Sequence, residues 1–137
     1  MNKVLVTGVF DILHKEHILF LNKAKALGDY LIIGVESDIR VKQMKGEDRP
    51  INSQKVRKVN LEKLKIANDV FILPEEFNKP IHHKKLIQNI KPKILAVSSH
   101  TKHLDKKQVI LSELGGKVVI VHNHNPKIST TKILKNS

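Results

Sequence analysis

The sequence predicts an α/β fold in which a parallel sheet is covered by helices on both faces. Short, continuous apolar runs alternate with longer segments in which apolar residues recur at helical spacing. This alternation favours parallel strands joined by crossover helices. The runs lack a polar face, as is typical of strands that are covered on both sides. A chain of 137 residues fits one domain, which we expect to cover residues 1–137.

Five strands and five helices are expected in alternation along the chain. Strands are predicted at 4–6, 30–35, 70–73, 94–97 and 117–121. Helices are predicted at 18–27, 53–64, 81–89, 104–114 and 130–135. Ser53 and Ser129 are suitable N-caps, and Gly28 and Gly115 are suitable stops. Ligands of such sheets bind beyond the carboxyl ends of the strands, so the segments that follow each strand are the candidates for function.

The net charge of +12 has two interpretations. It indicates either an anionic partner, such as a nucleotide or a phosphorylated substrate, or a lysine-rich composition without functional meaning. Arginine, the usual residue for reading DNA bases, occurs only at Arg40, Arg49 and Arg57. Aromatic residues that could stack on single strands are few. We therefore expect no nucleic-acid partner.

The composition also excludes several classes of protein. The chain has no cysteine, which rules out disulfides, iron–sulfur centres and a catalytic thiol. No apolar run approaches the roughly 18 residues of a membrane span, and no signal-peptide pattern precedes the first strand. We expect a cytoplasmic protein without a membrane partner.

The segment after the first strand carries the clearest chemical signal. Gly8 permits a tight turn and close approach of the backbone to a ligand. His14 and His17 are three residues apart, so both lie on one side of the helix that is expected to begin there. A helix N-terminus with two imidazole donors suits a triphosphate and the charge that develops on it during transfer. The alternatives are two surface histidines, or a zinc site for which no third ligand follows.

Two further segments are rich in groups that bind phosphate. Lys42, Lys45, Arg49 and Arg57 form a basic stretch, which could equally be a solvated loop. Near the end, residues 128–133 offer hydroxyls at a helix start, which is also what an ordinary N-cap looks like.

Taken together, these segments resemble the cytidylyltransferase-like nucleotidyltransferases. The run from Gly8 to His17 is similar to their opening signature, G-x-F-D-x-x-H-x-G-H, and residues 128–133 are similar to their terminal [R/I]-S-T-T-x-I. Residues 45–52 look most like the corresponding stretch of ADP-heptose synthases, which use ATP on a sugar phosphate. The resemblance implies a single Rossmann-like domain with a five-stranded parallel sheet in the order 3-2-1-4-5.

The resemblance also implies the reaction and its participants. A nucleoside monophosphate would pass from ATP or CTP directly to a small phosphate-bearing acceptor, such as a sugar phosphate, a polyol phosphate or FMN, with release of pyrophosphate. Mg²⁺ would bridge triphosphate oxygens. Because dimers are common in the family, the resemblance leaves a homodimer open.

Site residues follow by position in the family motifs. The resemblance assigns catalysis to His14, His17, Lys45 and Arg57. It assigns nucleotide binding to Thr7, Gly8, Val9, Phe10, Asp11, Ser129, Thr130 and Thr131. It assigns acceptor binding to Asp38, Lys42, Ser98 and His100.

The sequence departs from the family pattern at three places. One is residues 122–127, which replace a stretch that often carries Arg or Gly and in which His124 or Lys127 could supply positive charge instead. Glu16 stands where the signature has glycine, and a carboxylate there either repels phosphates or complements the helix dipole. The alternative function is therefore a catalytically impaired, nucleotide-binding regulatory domain on the same fold. Residues 98–103 replace a loop that contains Gly and Asp in the heptose and glycerol-phosphate enzymes, which argues for a different acceptor.

Overall fold

The structure is a computed structural model that describes residues 2–122. Its strands are β1 (Lys3–Gly8), β2 (Tyr30–Val35), β3 (Asp69–Ile72), β4 (Ile94–Ser98) and β5 (Lys117–His122). Its helices are α1 (Lys15–Lys25), α2 (Asp38–Lys45), α3 (Gln54–Lys63), α4 (Pro80–Ile90) and α5 (Leu104–Glu113). The predicted helix at 130–135 lies outside the described residues.

The predicted sheet is confirmed in composition, direction and order. The five strands are parallel and lie in the order β3-β2-β1-β4-β5. β1 is the central strand, and it pairs with β2 along its whole length and with β4 at Val4 and Leu5. The strand order reverses between β1 and β4, so the carboxyl end of β1 is the point at which a ligand crevice forms.

The side chains of β1 explain why helices cover both faces of the sheet. Val4 and Val6 point to one face, where they join a core cluster that includes Leu21 of α1 and Leu61 of α3. Leu5 points to the other face and packs in a cluster with residues of α4 and α5. Each of these three β1 side chains is completely buried.

The helix α2 was not predicted from the sequence. Val41 is its one buried residue, so its sequence carries little helical periodicity. Its local signal is a cap, because the Ser37 hydroxyl accepts a hydrogen bond from the backbone N–H of Arg40 at 3.2 Å. The predicted cap at Ser53 is confirmed by the equivalent bond from Val56 N–H, at 3.3 Å.

Between residues 2 and 122, no helix is long and apolar enough to cross a bilayer.

Candidate active site

The loops at the carboxyl edge of the sheet surround a cleft of about 480 Å³. Its floor is formed by the end of β1, and its walls come from α2, from the segment before and within α4, and from α5. The lining residues with polar or charged side chains are Thr7, Glu36, Arg40, Asn78, Lys79, His83, Lys102, His103, Lys106 and Lys107. The cleft therefore lies where the strand order predicts a ligand site, and it is strongly cationic.

Arg57 links several segments of the chain beneath this cleft. Its side chain is completely buried. Its guanidinium donates to the carbonyl oxygens of Val9 at 2.9 Å, Glu36 at 2.8 Å and Asn52 at 3.0 Å. A fourth bond, 2.8 Å long, goes to the Asp38 carboxylate. The structure thus gives Arg57 a positioning role, and its predicted part in catalysis stays a prediction.

Asp11 also links the loop after β1 to the segment before α3. Its carboxylate is buried and accepts hydrogen bonds from the backbone N–H groups of Ile51 and Asn52, both at 2.8 Å. The Arg49 side chain approaches the same carboxylate at 3.4 Å. The Asn52 amide returns a bond of 2.7 Å to the Asp11 carbonyl oxygen. Asp11 therefore holds the loop after β1 in place, and its predicted contact with nucleotide stays a prediction.

The two signature histidines are brought together, as their spacing predicts. His14 is the N-cap of α1, and its Nδ1 accepts the backbone N–H of Glu16 at 3.2 Å. In a neutral imidazole this leaves the proton on Nε2, which makes that atom a donor. The His17 ring stacks on His14 with a centroid distance of 3.9 Å and an interplanar angle of 24°. Within residues 2–122, no group of three or more His, Asp or Glu side chains is placed to hold a metal ion.

Phe10 and Gly8 set the position of His17. Phe10 is buried at a φ of 52°, and its ring meets His17 edge-on at a centroid distance of 5.5 Å. A Cβ atom on Gly8 would lie 2.8 Å from Cε2 of Phe10, so this packing requires glycine. Thr7, Gly8 and Val9 also line the cleft. The backbone that is predicted to bind nucleotide is therefore accessible from the cleft.

Lys45 ends α2 close to the loop after β1. Partial burial lowers the pKa of its ammonium group, and the charges of Arg49 and Lys102 lower it further, while the Asp11 carboxylate opposes them. Lys45 is exposed to solvent. Its pKa nevertheless responds to charged side chains in two loops, Asp11 after β1 and Lys102 after β4. That position suits the predicted contact with triphosphate.

The predicted acceptor residues are not gathered in the cleft. Asp38 is half-buried and its carboxylate is engaged by Arg57. Lys42 and His100 are exposed, Ser98 ends β4, and none of these three is among the residues that line the cleft in the described chain. Their binding roles stay predictions.

Sequence reasoning missed the titratable groups that do line the cleft. Burial raises the pKa of Glu36, although Arg40, Arg57 and Lys107 draw it down. Burial lowers the pKa of Lys107, with Glu36 opposing the shift. Glu36 follows β2 directly, and this adjacency to a strand end was the signal available in the sequence.

His83 is the most perturbed of these groups. Its ring packs against Phe77 with a centroid distance of 4.1 Å. Burial, followed by the charges of Lys107, His103, His82 and Arg40, lowers its pKa to about 4. No role could be assigned to it from the sequence, because its neighbours come from other elements.

Removing the Arg57 side chain should destabilise the fold. We expect Arg57→Met to lower the free energy of unfolding by about 3–5 kcal/mol, since it leaves buried carbonyls and Asp38 without their donor. Urea unfolding measures this. Lys58→Met, which removes an exposed pair with Glu62, should cost no more than about 1 kcal/mol and serves as the control. Equal stability of the two variants would refute the role given to Arg57.

The depressed pKa of His83 should appear in the pH dependence of stability. Between pH 6.5 and about pH 4 the folded protein binds fewer protons at His83 than the unfolded chain. The free energy of unfolding should therefore fall as the pH decreases through this window. His83→Gln cannot take up the proton, so its stability should fall less steeply than that of the wild type. Unfolding curves with identical pH dependence would contradict this.

Comparisons with known proteins agree with the geometry. A family model described as "Cytidylyltransferase-like" matches residues 5–136. The chain is 50% identical over 92 residues to the "Bifunctional protein HldE" of a Helicobacter pylori strain, and 41% identical over 132 residues to that of a Nitratiruptor species. These alignments cover 67% and 96% of this chain but only 19% and 27% of the relatives.

Solved structures show the same architecture. The crystal structure of a lipopolysaccharide core biosynthesis protein from Thermoplasma volcanium is similar with a TM-score of 0.73 and 30% identity, and the match covers 91% of this chain and 98% of that one. Pantothenate synthetase from Thermus thermophilus has a TM-score of 0.61 at 12% identity, over 97% of this chain and 61% of its own. At that identity the second likeness concerns the fold alone.

Proposed function

Because this chain belongs to the cytidylyltransferase-like family, we propose that it transfers a nucleoside monophosphate from ATP or CTP to a small phosphate-bearing acceptor and releases pyrophosphate. The observation that carries the proposal is the stacked pair His14 and His17 at the start of α1, beside a cationic cleft at the carboxyl end of β1. The family resemblance of the sequence predicts this type of enzyme.

The donor triphosphate is proposed to lie against the loop after β1. The Nε2 atom of His14 would donate to its oxygens, while His17 and the N-terminus of α1 add positive potential. Lys45 would neutralise charge on the leaving pyrophosphate from the far side of the loop. Residues 129–131, which complete the predicted nucleotide site, lie outside the described residues.

The acceptor is proposed to enter the cleft. An oxygen of its phosphate would attack the α-phosphorus, and the bond from that phosphorus to the pyrophosphate oxygen would break. The fixed loop of Gly8 and Val9 would hold the two phosphates in line, since the Val9 carbonyl oxygen accepts a hydrogen bond from Arg57 and the Gly8 carbonyl oxygen accepts one from the backbone N–H of Glu36. Direct displacement needs no nucleophile from the protein.

Magnesium fits this arrangement as an ion delivered with the nucleotide. No group of three metal-ligating side chains was found among residues 2–122, so triphosphate oxygens and water would supply most of its ligands. When bound, it would neutralise charge on the phosphates as they separate.

A sugar phosphate is the favoured acceptor, and ATP the favoured donor. Residues 45–52 resemble the ADP-heptose synthases, and the structural neighbour from Thermoplasma volcanium is a lipopolysaccharide core biosynthesis protein. We propose no nucleic-acid or membrane partner, because the cations proposed to face the acceptor line a concave cleft and not an open surface. A cytoplasmic location and a homodimer stay predictions.

The histidine pair provides the direct test. His14→Ala and His17→Ala should each lower kcat by about 10²–10³, the usual effect of losing a donor to developing charge. Pyrophosphate release with ATP or CTP is measured against a panel of sugar phosphates, glycerol phosphate and FMN. His82→Ala is the matched control, because His82 binds the backbone N–H of Lys79 and does not line the cleft. Wild-type rates in both signature variants would remove their catalytic assignment.

Substitution of Glu16 distinguishes an active enzyme from an impaired regulatory domain. Glu16 is half-buried in the first turn of α1, where a carboxylate complements the helix dipole. We therefore expect the wild-type chain to transfer the nucleoside monophosphate to the acceptor. We also expect Glu16→Gly to change kcat/KM by less than about tenfold. Glu16→Gln separates the effect of charge from that of the missing side chain. An inactive wild type that becomes active as Glu16→Gly would establish the regulatory alternative.

A further inference from the structure

The lining of the cleft carries more positive charge than the reacting phosphate requires. Arg40 of α2, Lys79 before α4, and Lys106 and Lys107 of α5 line the cleft, and we call them the distal cations. Glu36 is the carboxylate that faces them in the described lining. Four cationic side chains against one carboxylate leave an excess of three positive charges.

The distal cations line the cleft, whereas His14, His17 and Lys45, the side chains proposed to bind the triphosphate, do not. The charges that act on the two sets also differ. The pKa of Lys45 responds to Arg49, Asp11 and Lys102. The pKa of Glu36, which lines the cleft, responds to Arg40, Lys107 and the buried Arg57.

Lys79 and Lys106 are exposed, whereas Arg40 and Lys107 are half-buried, so the cluster of distal cations is only partly solvated. Lys107 is half-buried, and its Nζ donates to the Thr101 hydroxyl at 2.7 Å. Beside it, the buried Phe77 and the ring of His83 form an apolar wall. Repulsion from Lys107 and Arg40 contributes to the low pKa of His83, so Glu36 compensates the positive charge here only in part. Such an arrangement costs stability and is typical of a site that awaits an anion.

One phosphate on the acceptor does not account for this charge. A phosphomonoester carries about −1.5 to −2 at neutral pH. In the reaction proposed above, that phosphate meets the α-phosphorus near Gly8 and His14, which are not part of the cluster of distal cations. The distal cations would then face a part of the acceptor that lies beyond its reacting phosphate.

We propose that the acceptor carries a second anionic group, a carboxylate or a further phosphate, which binds to Arg40, Lys79, Lys106 and Lys107. This deepens the proposed function and rests on it, because it assumes that the cleft is the acceptor site. The substrate class is a sugar or polyol phosphate with an anionic group at its far end. A cleft of about 480 Å³ has room for a molecule of that size.

Calorimetric binding of matched compounds to the full chain tests the proposal. Glucose 6-phosphate is compared with 6-phosphogluconate, and fructose 6-phosphate with fructose 1,6-bisphosphate. Within each pair the second compound adds one anionic group to the same carbon skeleton. We expect the wild type to bind the second compound at least about tenfold more tightly, as charge-assisted bonds to a preformed cationic site predict.

Matched variants separate a built site from the general attraction of a basic protein. Lys106→Met should reduce the preference within each pair to about twofold or less, because it removes one distal cation. Lys85→Met removes an equal charge from an exposed position on α4 that does not line the cleft, and it should keep the full preference. Both residues are exposed, so neither change should unfold the protein.

Three results would overturn the proposal. Equal affinity within both pairs would exclude a second anionic group, and it would leave the nucleotidyltransferase function standing if pyrophosphate release is observed. Equal loss of preference in Lys106→Met and Lys85→Met would show that net charge alone is responsible. Failure of all four compounds to bind, with or without ATP, would reject the cleft as the acceptor site and this inference with it.

Discussion

The architecture of the site depends on one buried cation. Arg57 lies beneath the carboxyl edge of the sheet and donates to carbonyl oxygens of three separate segments, at Val9, Glu36 and Asn52, as well as to Asp38. Removing a guanidinium from water costs several kcal/mol unless its donors are satisfied, and here the chain itself supplies the acceptors. The loops after β1 and β2 and the segment before α3 are therefore fixed relative to one another before any substrate arrives.

The loops held by Arg57, which we call the frame, determine how the neighbouring side chains are placed. Asp11 reinforces it from the other side, and Phe10, which can pack only because residue 8 is glycine, holds His17 against His14. Catalysis of phosphoryl transfer depends mainly on positioning and on preorganised charge, which a rigid loop of this kind provides. By contrast, the walls of the cleft come from α2, α4 and α5, where substitutions can alter the acceptor without disturbing the frame.

The sequence predicted the sheet because continuous apolar runs and their spacing are local signals, and family resemblance supplied the strand order that the structure confirms. It did not predict α2, which buries one residue, Val41. It also did not reveal the carbonyl groups that surround Arg57, since a sequence shows a charge but not its partners. His83 and Lys107 share a cleft only through tertiary packing, so no local pattern could have paired them. The terminal motif at 129–131 stays a prediction, because it lies outside the described residues.

We infer that a loop held by Arg57 presents His14 and His17 to a nucleoside triphosphate. A crystal structure of the chain with Mg²⁺ and a non-hydrolysable ATP analogue tests this inference most directly. We expect triphosphate oxygens within hydrogen-bonding distance of both imidazoles, with the bonds from Arg57 to Val9 and Glu36 unchanged. A triphosphate bound away from the start of α1, or a loop that has broken from Arg57 to receive it, would contradict this role of the loop.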